Sequence, residues 1–317
     1  MIRAQEETDS GIIPRLEIGN WLETGFNWIN DTFGAFFDFV ESLLLTLTDD
    51  WLGVFLNWPD ALLMAVIFAL IGWLVRDWKL GVLSLALMAF VITVDMWENA
   101  MDTLAMVLVA AFFALVIAIP VGILAAKSQR ASQVVRPIMD LMQTMPAFVW
   151  LPLVLTLFGL NVTAGVVATF IFCLPPGARF TELGIRQVDS EVVEAGYAFG
   201  STPRQILFRI QLPLAARTIM AGVGQVIMLA LSMAVIAGFV GAGGLGGEVT
   251  RAITTVDIAL GFESGLSVVM LAVFLDRVTA AISGGEGILP KLLRRRRKTA
   301  PKDEQTEGAK ATAATTA

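Results

Sequence analysis

Seven apolar runs, at 61–75, 80–94, 104–126, 138–160, 162–174, 218–240 and 265–283, follow one another with short polar breaks. A helix needs about 20 mostly apolar residues to cross a bilayer, so the first two runs are short for it and the third is full length. In hydrocarbon each backbone N–H and C=O must be satisfied within the protein, which favours helices that bond internally. The chain is therefore expected to be an all-α polytopic membrane protein of about seven transmembrane helices. Only 16% of its residues are charged, against 56% hydrophobic, which is the balance of an integral membrane protein and not of a soluble one. There is no histidine, so histidine-based triads and HExxH metal sites are excluded. The one cysteine, Cys173, lies in an apolar run and offers neither a disulfide framework nor a metal cluster.

Basic residues set the expected orientation. Arg76 and Lys79, then Lys127, Arg130 and Arg136, the segment 179–217 and the run Arg294-Arg295-Arg296-Arg297-Lys298 all fall on one side when the runs alternate. The other side receives the acidic N-terminal region, the loop carrying Asp95, Glu98 and Asp102, and the loop 248–263. The N-terminus is thus expected outside and the C-terminus in the cytoplasm. Trp58, Trp73, Trp78 and Trp97 suit an interfacial belt. Residues 1–56 form an acidic external region without the features of a signal peptide, and 31–47 read as an amphipathic helix with Phe33, Phe36, Phe37, Val40, Leu44 and Leu47 on one side. Residues 57–103 are a transmembrane hairpin, 104–284 a core domain, and 285–317 a basic and then disordered tail. The arginine run is a topology anchor or a binder of anionic lipid, each charge contributing about 1 kcal/mol near such a surface.

Between two apolar runs lies 190–213, SEVVEAGYAFGSTPRQILFRIQLP. It reads as two short helices meeting at a corner. Ser190 is the expected N-cap of the first, and Gly200 its left-handed stop. Ser201 or Thr202 caps the second, Pro203 takes its first position, and Pro213 ends it or hands the chain to the next span. Ala195, Gly196 and Ala198 leave a low surface beside Glu194, while Tyr197 and Phe199 project. Such a corner either lies on the membrane or plugs into another protein.

Glu194-Ala195-Gly196, Gly200, Ile210, Leu212 and Pro213 resemble the EAA motif of ATP-binding-cassette (ABC) importer permeases, E-A-A-x3-G-x9-I-x-L-P, with Gly196 in place of the commoner alanine. MDLMQTMPAFVWLPLVLTLFGL from Met139, VVATFIFCLPPGAR from Val166, AGVGQVIMLALSMAVIAGFVGAGGLGGEV from Ala221 and Leu275-Asp276-Arg277 are similar to the glycine betaine/proline subfamily, a likeness that spans roughly 104–283. The resemblance implies a type I ABC importer permease fold in a bacterial inner membrane. It implies a second copy of the permease, a pair of cytoplasmic ATPases holding the ATP and magnesium, and an external or periplasmic binding protein. The coupling loop would be 182–217, with Glu194, Ala195, Gly196, Tyr197, Phe199, Gly200, Ile210, Leu212 and Pro213 its contacts, and Glu194 fixing the corner. The cargo would be glycine betaine, proline or a related quaternary-ammonium solute; choline, carnitine or another small solute is the alternative.

No Walker lysine motif is present, so this chain is expected to be a non-catalytic subunit that binds no cofactor, metal or nucleic acid. Gly241, Gly243, Gly244 and Gly246 of GAGGLGG follow no strand and precede no Lys-Ser or Lys-Thr, so they are read as an external gate or a close packing site. Gln143, Thr144, Phe148, Gln225 and Ser232 are candidates for the translocation pathway, with Trp150 and Phe239 as further lining; all are equally readable as helix packing or lipid contact. Asp276 and Arg277 read as a structural pair near the end of the last span. An ion channel would have to use the glycine run as its filter, and an intramembrane enzyme would lack a base. In a Cys173→Ala background, a cysteine at Glu98 should react with an impermeant maleimide added outside intact cells. Labelling only after permeabilisation would overturn the orientation.

Overall fold

The computed structural model describes residues 18–284. The arginine run at 294–298 and the tail expected to be disordered lie outside the described residues, as do the first acidic residues, Glu6 to Glu17. Helix α1, Ile18–Leu45, starts well before the expected amphipathic segment and kinks at Phe33 (φ −114°, ψ 19°). It runs on as a π-helical stretch, Thr46–Gly53, into the single turn α2, Val54–Asn57. A hairpin follows, α3 Ala61–Val75 and α4 Trp78–Thr93, each begun by an aspartate cap: Asp60 accepts from Leu62 N and Asp77 from Leu80 N.

The remaining elements are α5 Trp97–Lys127, α6 Gln129–Thr144, α7 Ala147–Phe158, α8 Val162–Arg186, α9 Ser190–Ala198, α10 Pro203–Ile206, α11 Leu212–Ala237, α12 Gly244–Thr255 and α13 Ile258–Gly284. Four helical stretches among the described residues are long and apolar enough to cross a membrane, two bent pairs pass together, and Trp78–Thr93 is a shorter apolar helix. These account for the seven apolar runs.

Three boundaries differ from the sequence expectation, two of them at proline. The run 138–160 is not one span: α6 and α7 meet at 98°. Pro146 has no N–H to continue the ladder and forces Met145 out of the helical region, to φ −70° and ψ 130°. By contrast, Pro175 and Pro176 do not close the run that starts at 162; both are buried inside α8, which continues to Arg186. Neighbouring helices tolerate such prolines by enclosing the freed carbonyls. The segment 248–263, expected as a loop, is mostly helix, shared between α12 and the start of α13.

The core is α8 held between α5 and α11. Arg186 Nη2 donates to Ala125 O (2.8 Å) where α8 and α5 both end, so these two helices run parallel. Glycines let the backbones approach, which is how helices associate in lipid, where burying apolar surface gives no drive. A Cβ on Gly122 of α5 would sit 2.5 Å from Ala178 O and 2.6 Å from Thr181 Cβ of α8. One on Gly222 of α11 would sit 2.5 Å from Phe180 Cβ. The α6–α7 pair carries the chain back between the parallel helices, and α3, α4 and α13 pack outside, with Phe68 5.2 Å from Phe274 between ring centroids.

Gly122→Val would push α5 from α8 and should destabilise the protein by about 1–3 kcal/mol, an overpacking cost. Gly265→Ala, where nothing lies within 4 Å of the added carbon, should leave stability unchanged. Thermal unfolding in one detergent compares the two; equal melting points would refute the packing argument.

Candidate functional site

The corner at 190–213 is shaped mainly by local bonding, with Asp189 just ahead of it as a cap and Leu207 packed with Ile185 and Ala215 at its base. Asp189, not Ser190, is the N-cap of α9: its carboxylate accepts from Glu191 N at 2.9 Å, and Ser190 is already helical. The helix ends as the sequence predicts. Gly200 takes φ +77°, Ser201 N donates to Gly196 O (3.1 Å) and Gly200 N to Tyr197 O (2.9 Å). That pair of bonds is a Schellman motif. Thr202 then caps α10 in a reciprocal box with Gln205: Thr202 N donates to Gln205 Oε1 (2.8 Å) and Gln205 N to Thr202 Oγ1 (3.4 Å).

Gly196 is buried at the inside of the corner. A Cβ there would lie 2.5 Å from Ile206 Cδ1 and 2.7 Å from Ile210 Cδ1, so the substitution of glycine for the motif's alanine lets these isoleucines close onto α9. Glu194 and Ala195 are exposed. Contrary to the sequence reading, Glu194 does not fix the corner, since it bonds to no other described residue. Tyr197 is half exposed and Phe199 is 89% exposed at the tip. A large apolar side chain so placed is free to enter a complementary pocket.

Pro213 does not end the second helix. A π-helical stretch, Leu207–Gln211, joins α10 to α11, and Leu212 N donates to Leu207 O. The wider turn shifts the hydrogen-bond register, so Pro213 falls at the start of α11, where a missing N–H is tolerated. Pro203–Val240 is thus one continuous rod of 38 residues. Ile210 and Leu212, half-buried, belong to its foot.

Sequence reasoning missed Glu182. It is 5% exposed on α8, one turn before the end of that helix. Its carboxylate accepts from Ser132 Oγ (2.8 Å) and Arg136 Nη2 (2.9 Å) of α6, and pairs with Arg186 Nε (2.8 Å) of α8 itself. Arg186 also reaches Gln129 Oε1 at 3.3 Å. Farther along, Asp140 of α6 pairs with Arg179 of α8. The signal available in sequence was the spacing Ser132, Arg136, Asp140, one face of a helix, against Arg179, Glu182, Arg186 on another.

The pathway candidates do not converge. Thr144 Oγ1 donates to Leu141 O (3.1 Å) and Ser232 Oγ to Met228 O (3.0 Å), both within their own helices. Gln143 is half-buried near the α6–α7 break. Phe148 meets Phe239 at 5.6 Å between ring centroids, edge to face. Trp150 Nε1 is buried without a hydrogen-bond partner among the described residues. Gln225 lines a cleft of about 420 Å³ between α11 and α13 with Arg217, Met228 and Asp276. Asp276 and Arg277 are loosely apposed at 4.0 Å, and both are about half exposed.

At the opposite end from the corner, Gly241, Gly243 and Gly244 have φ of 80°, 70° and 59°. Leu245 N donates to Thr103 Oγ1 (2.8 Å), and a Cβ on Gly244 would lie 2.5 Å from that same oxygen. Gly246 packs its backbone on Gly238, and one Cβ there would meet Val235 Cα at 3.0 Å. The glycine run therefore seals α12 against α5 and α11 by backbone contact.

Residues 118–284 match the family described as "Binding-protein-dependent transport system inner membrane component". The chain is 43% identical over 267 residues, 84% of its own length and 75% of the relative's, to the glycine betaine/proline betaine transport system permease protein ProW of Escherichia coli (strain K12). It is 41% identical over 270 residues, 85% of this chain and 95% of the relative, to the glycine betaine transport system permease protein OpuAB of Bacillus subtilis (strain 168). Its fold is similar to that of a chain of the MetNI methionine ABC transporter in an inward-facing conformation, with a TM-score of 0.56 at 23% identity over 60% of this chain and 95% of that one.

Gly200→Ala places a side chain in the left-handed region, at about 1–2 kcal/mol, and Thr202→Ala removes a cap, at about 1 kcal/mol. Either should speed hydrogen exchange at the Ser201 amide by about 5- to 30-fold. Unchanged protection there would show that the corner is held from elsewhere.

Proposed function

The chain belongs to the family of binding-protein-dependent transport system inner membrane components, and from that premise we propose that it carries glycine betaine, proline betaine or a related quaternary-ammonium solute inward as the permease subunit of an ABC importer. The solute is taken from permeases that are 43% and 41% identical to the chain over 84% and 85% of its length. The observation that carries the coupling role is the corner: a rigid, glycine-flattened knob with Phe199 unburied at its tip, at the foot of a rod of 38 residues that is itself a span.

In this reading the corner faces the cytoplasm with the arginines that cluster at the same end, and the glycine seal faces outward. A cytoplasmic ATPase receives Tyr197 and Phe199 in a groove, with Glu194 free to pair across the contact and Ala195 allowing close approach. The ATPase supplies ATP and magnesium, and this chain supplies none of the hydrolytic chemistry. Two copies of the permease and two ATPases complete the transporter, and an external binding protein delivers the solute. Closure of the ATPase pair shifts the permease between inward and outward openings only by gripping one of them better. Because α10, the π turn and α11 are continuous, displacement of the corner tilts α11 directly. Phe148 and Phe239 offer aromatic faces that attract a methylated cation, and Gln143, Gln225 and Ser232 offer polar contacts along the route.

The test is ATP-dependent uptake of labelled glycine betaine by vesicles containing this chain with its ATPase and binding protein. Wild type should accumulate the solute. Glu194→Arg and Gly200→Trp should insert normally yet lose both uptake and ATPase association. Normal transport by the variants would refute the docking role; uptake of carnitine or choline but no betaine would refute the solute.

A further inference from the structure

We propose that the Glu182 cluster is the joint through which movement of the docking corner reaches the broken span α6–α7, with Glu182 as a positioning residue. The inference rests on the docking role proposed above for 190–213.

Only Gln187, Val188 and Asp189 separate Arg186, the last residue of α8, from the first helix of the corner. Glu182 therefore stands about one turn above the point where the docking segment leaves the bundle. From there its carboxylate reaches sideways to Ser132 and Arg136 on α6, and Arg186 reaches Gln129 at the start of α6 and Ala125 O at the end of α5. The pair Arg179 with Asp140 repeats the link nearer the break. Three helices thus converge on one buried carboxylate with three donor groups.

The other contact of α6 with the bundle is an apolar cluster in which Met139, with Val135 and Met142, packs on Ala118 of α5 and on Leu174 and Ala178 of α8. Val134, Ile138 and Leu141 are each at least half exposed, so that side of α6 turns away from the bundle while Ser132 and Arg136 face α8. Of its side chains, Ser132 and Met139 are buried. Nearest the end of α8, where the corner leaves the bundle, α6 is thus held by charge and hydrogen bonds, and farther along by the apolar cluster around Met139. The polar attachment is directional: it transmits displacement of the α8 end to α6, and through the 98° bend to α7, where Phe148 touches Phe239 of the segment following α11. A hydrophobic contact of the same area would slide. Meanwhile the packing of α8 on α5 and α11 is independent of the Glu182 cluster, resting on Gly122, Gly177 and Gly222. Loss of the joint is therefore expected to spare the core and the corner, and to uncouple α6 from movement of the α8 end.

Glu182→Gln keeps the shape and removes the charge that gathers the two guanidinium groups. Arg136→Gln removes one donor and leaves Arg186 in place, as a milder variant should the first insert poorly. Each is compared with wild type in the assembled transporter in nanodiscs. ATPase association should be retained within about twofold, while solute moved per ATP hydrolysed falls about 2- to 30-fold, the range of coupling changes seen for residues between sites. A second readout separates the joint from mere scaffolding. In a Cys173→Ala background, spin labels at Val192 and Val82 follow the corner, and labels at Val134 and Val82 follow α6. Trapping with ATP and vanadate should shift both distances in the parent, but only the corner distance in Glu182→Gln. Loss of ATPase association in both variants, unchanged transport per ATP, or an α6 shift that survives Glu182→Gln would each overturn the proposal. If the parent moves no betaine at all, the solute assignment falls, and the paired distances still decide the joint.

Discussion

Every part of this molecule hangs on how closely α8 can approach α5 and α11. Lipid tails are as apolar as leucine, so the helices gain nothing by hiding such side chains from them, and association falls to van der Waals contact and hydrogen bonding. Gly122 brings the α5 backbone against Ala178 O, Gly177 faces Ala118 Cβ, and Gly184 faces Thr218 and Ala215. A side chain at any of these positions would wedge the layer open. Because the three helices are locked along much of their length, whatever is attached to the ends of α8 and α11 inherits a fixed frame. The docking corner is attached to both.

Prolines show how tertiary surroundings decide between a break and a bend. Pro146 breaks its run, while Pro175, Pro176 and Pro213 lie within helices that continue. The local chemistry is the same in each: a missing donor and a ring pressed on the preceding turn. At Pro175 and Pro176 the surrounding bundle encloses the freed carbonyls, and at Pro213 the π turn changes the register ahead of the ring. At Pro146 the flanking residues are half-buried or exposed, so nothing resists the turn.

That difference marks what could be read from sequence. The apolar runs, the Gly200 stop and the Thr202–Pro203 start were legible because each depends on one residue type and its immediate neighbours. The break at Met145 and the continuity through Pro175 and Pro176 were not, since both depend on which helices lie alongside; at Pro213 the sequence left an end and a hand-over to the next span both open, and the π turn decides for the hand-over. Asp189 outcompeted Ser190 as the cap by one position, a distinction that sequence leaves open. Glu182 was passed over for another reason: a glutamate beyond an apolar run reads as a solvated end, and only the approach of α6 shows that the spaced charges of the two helices meet. The same holds for Glu194, which looks like a corner brace in sequence and stands free of the described chain in three dimensions.

These two glutamates divide the work of the segment between them. A carboxylate buried among two arginines and a serine is costly to unpair, because removing one partner leaves a charge in a poorly solvating place, typically at about 3–5 kcal/mol. Glu182 is for that reason unsuited to pairing with any other protein, and well suited to keeping one geometry through a cycle of motion. An exposed carboxylate without a partner has the opposite character. Glu194 contributes little to the fold and stays available to a cation across an interface, where the Schellman turn and the Thr202–Gln205 box already hold the backbone in place. Gly196, by letting Ile206 and Ile210 close the inside of the corner, removes the last need for Glu194 to support it. Internal bonding thus leaves Glu194, Tyr197 and Phe199 free for the docking proposed above.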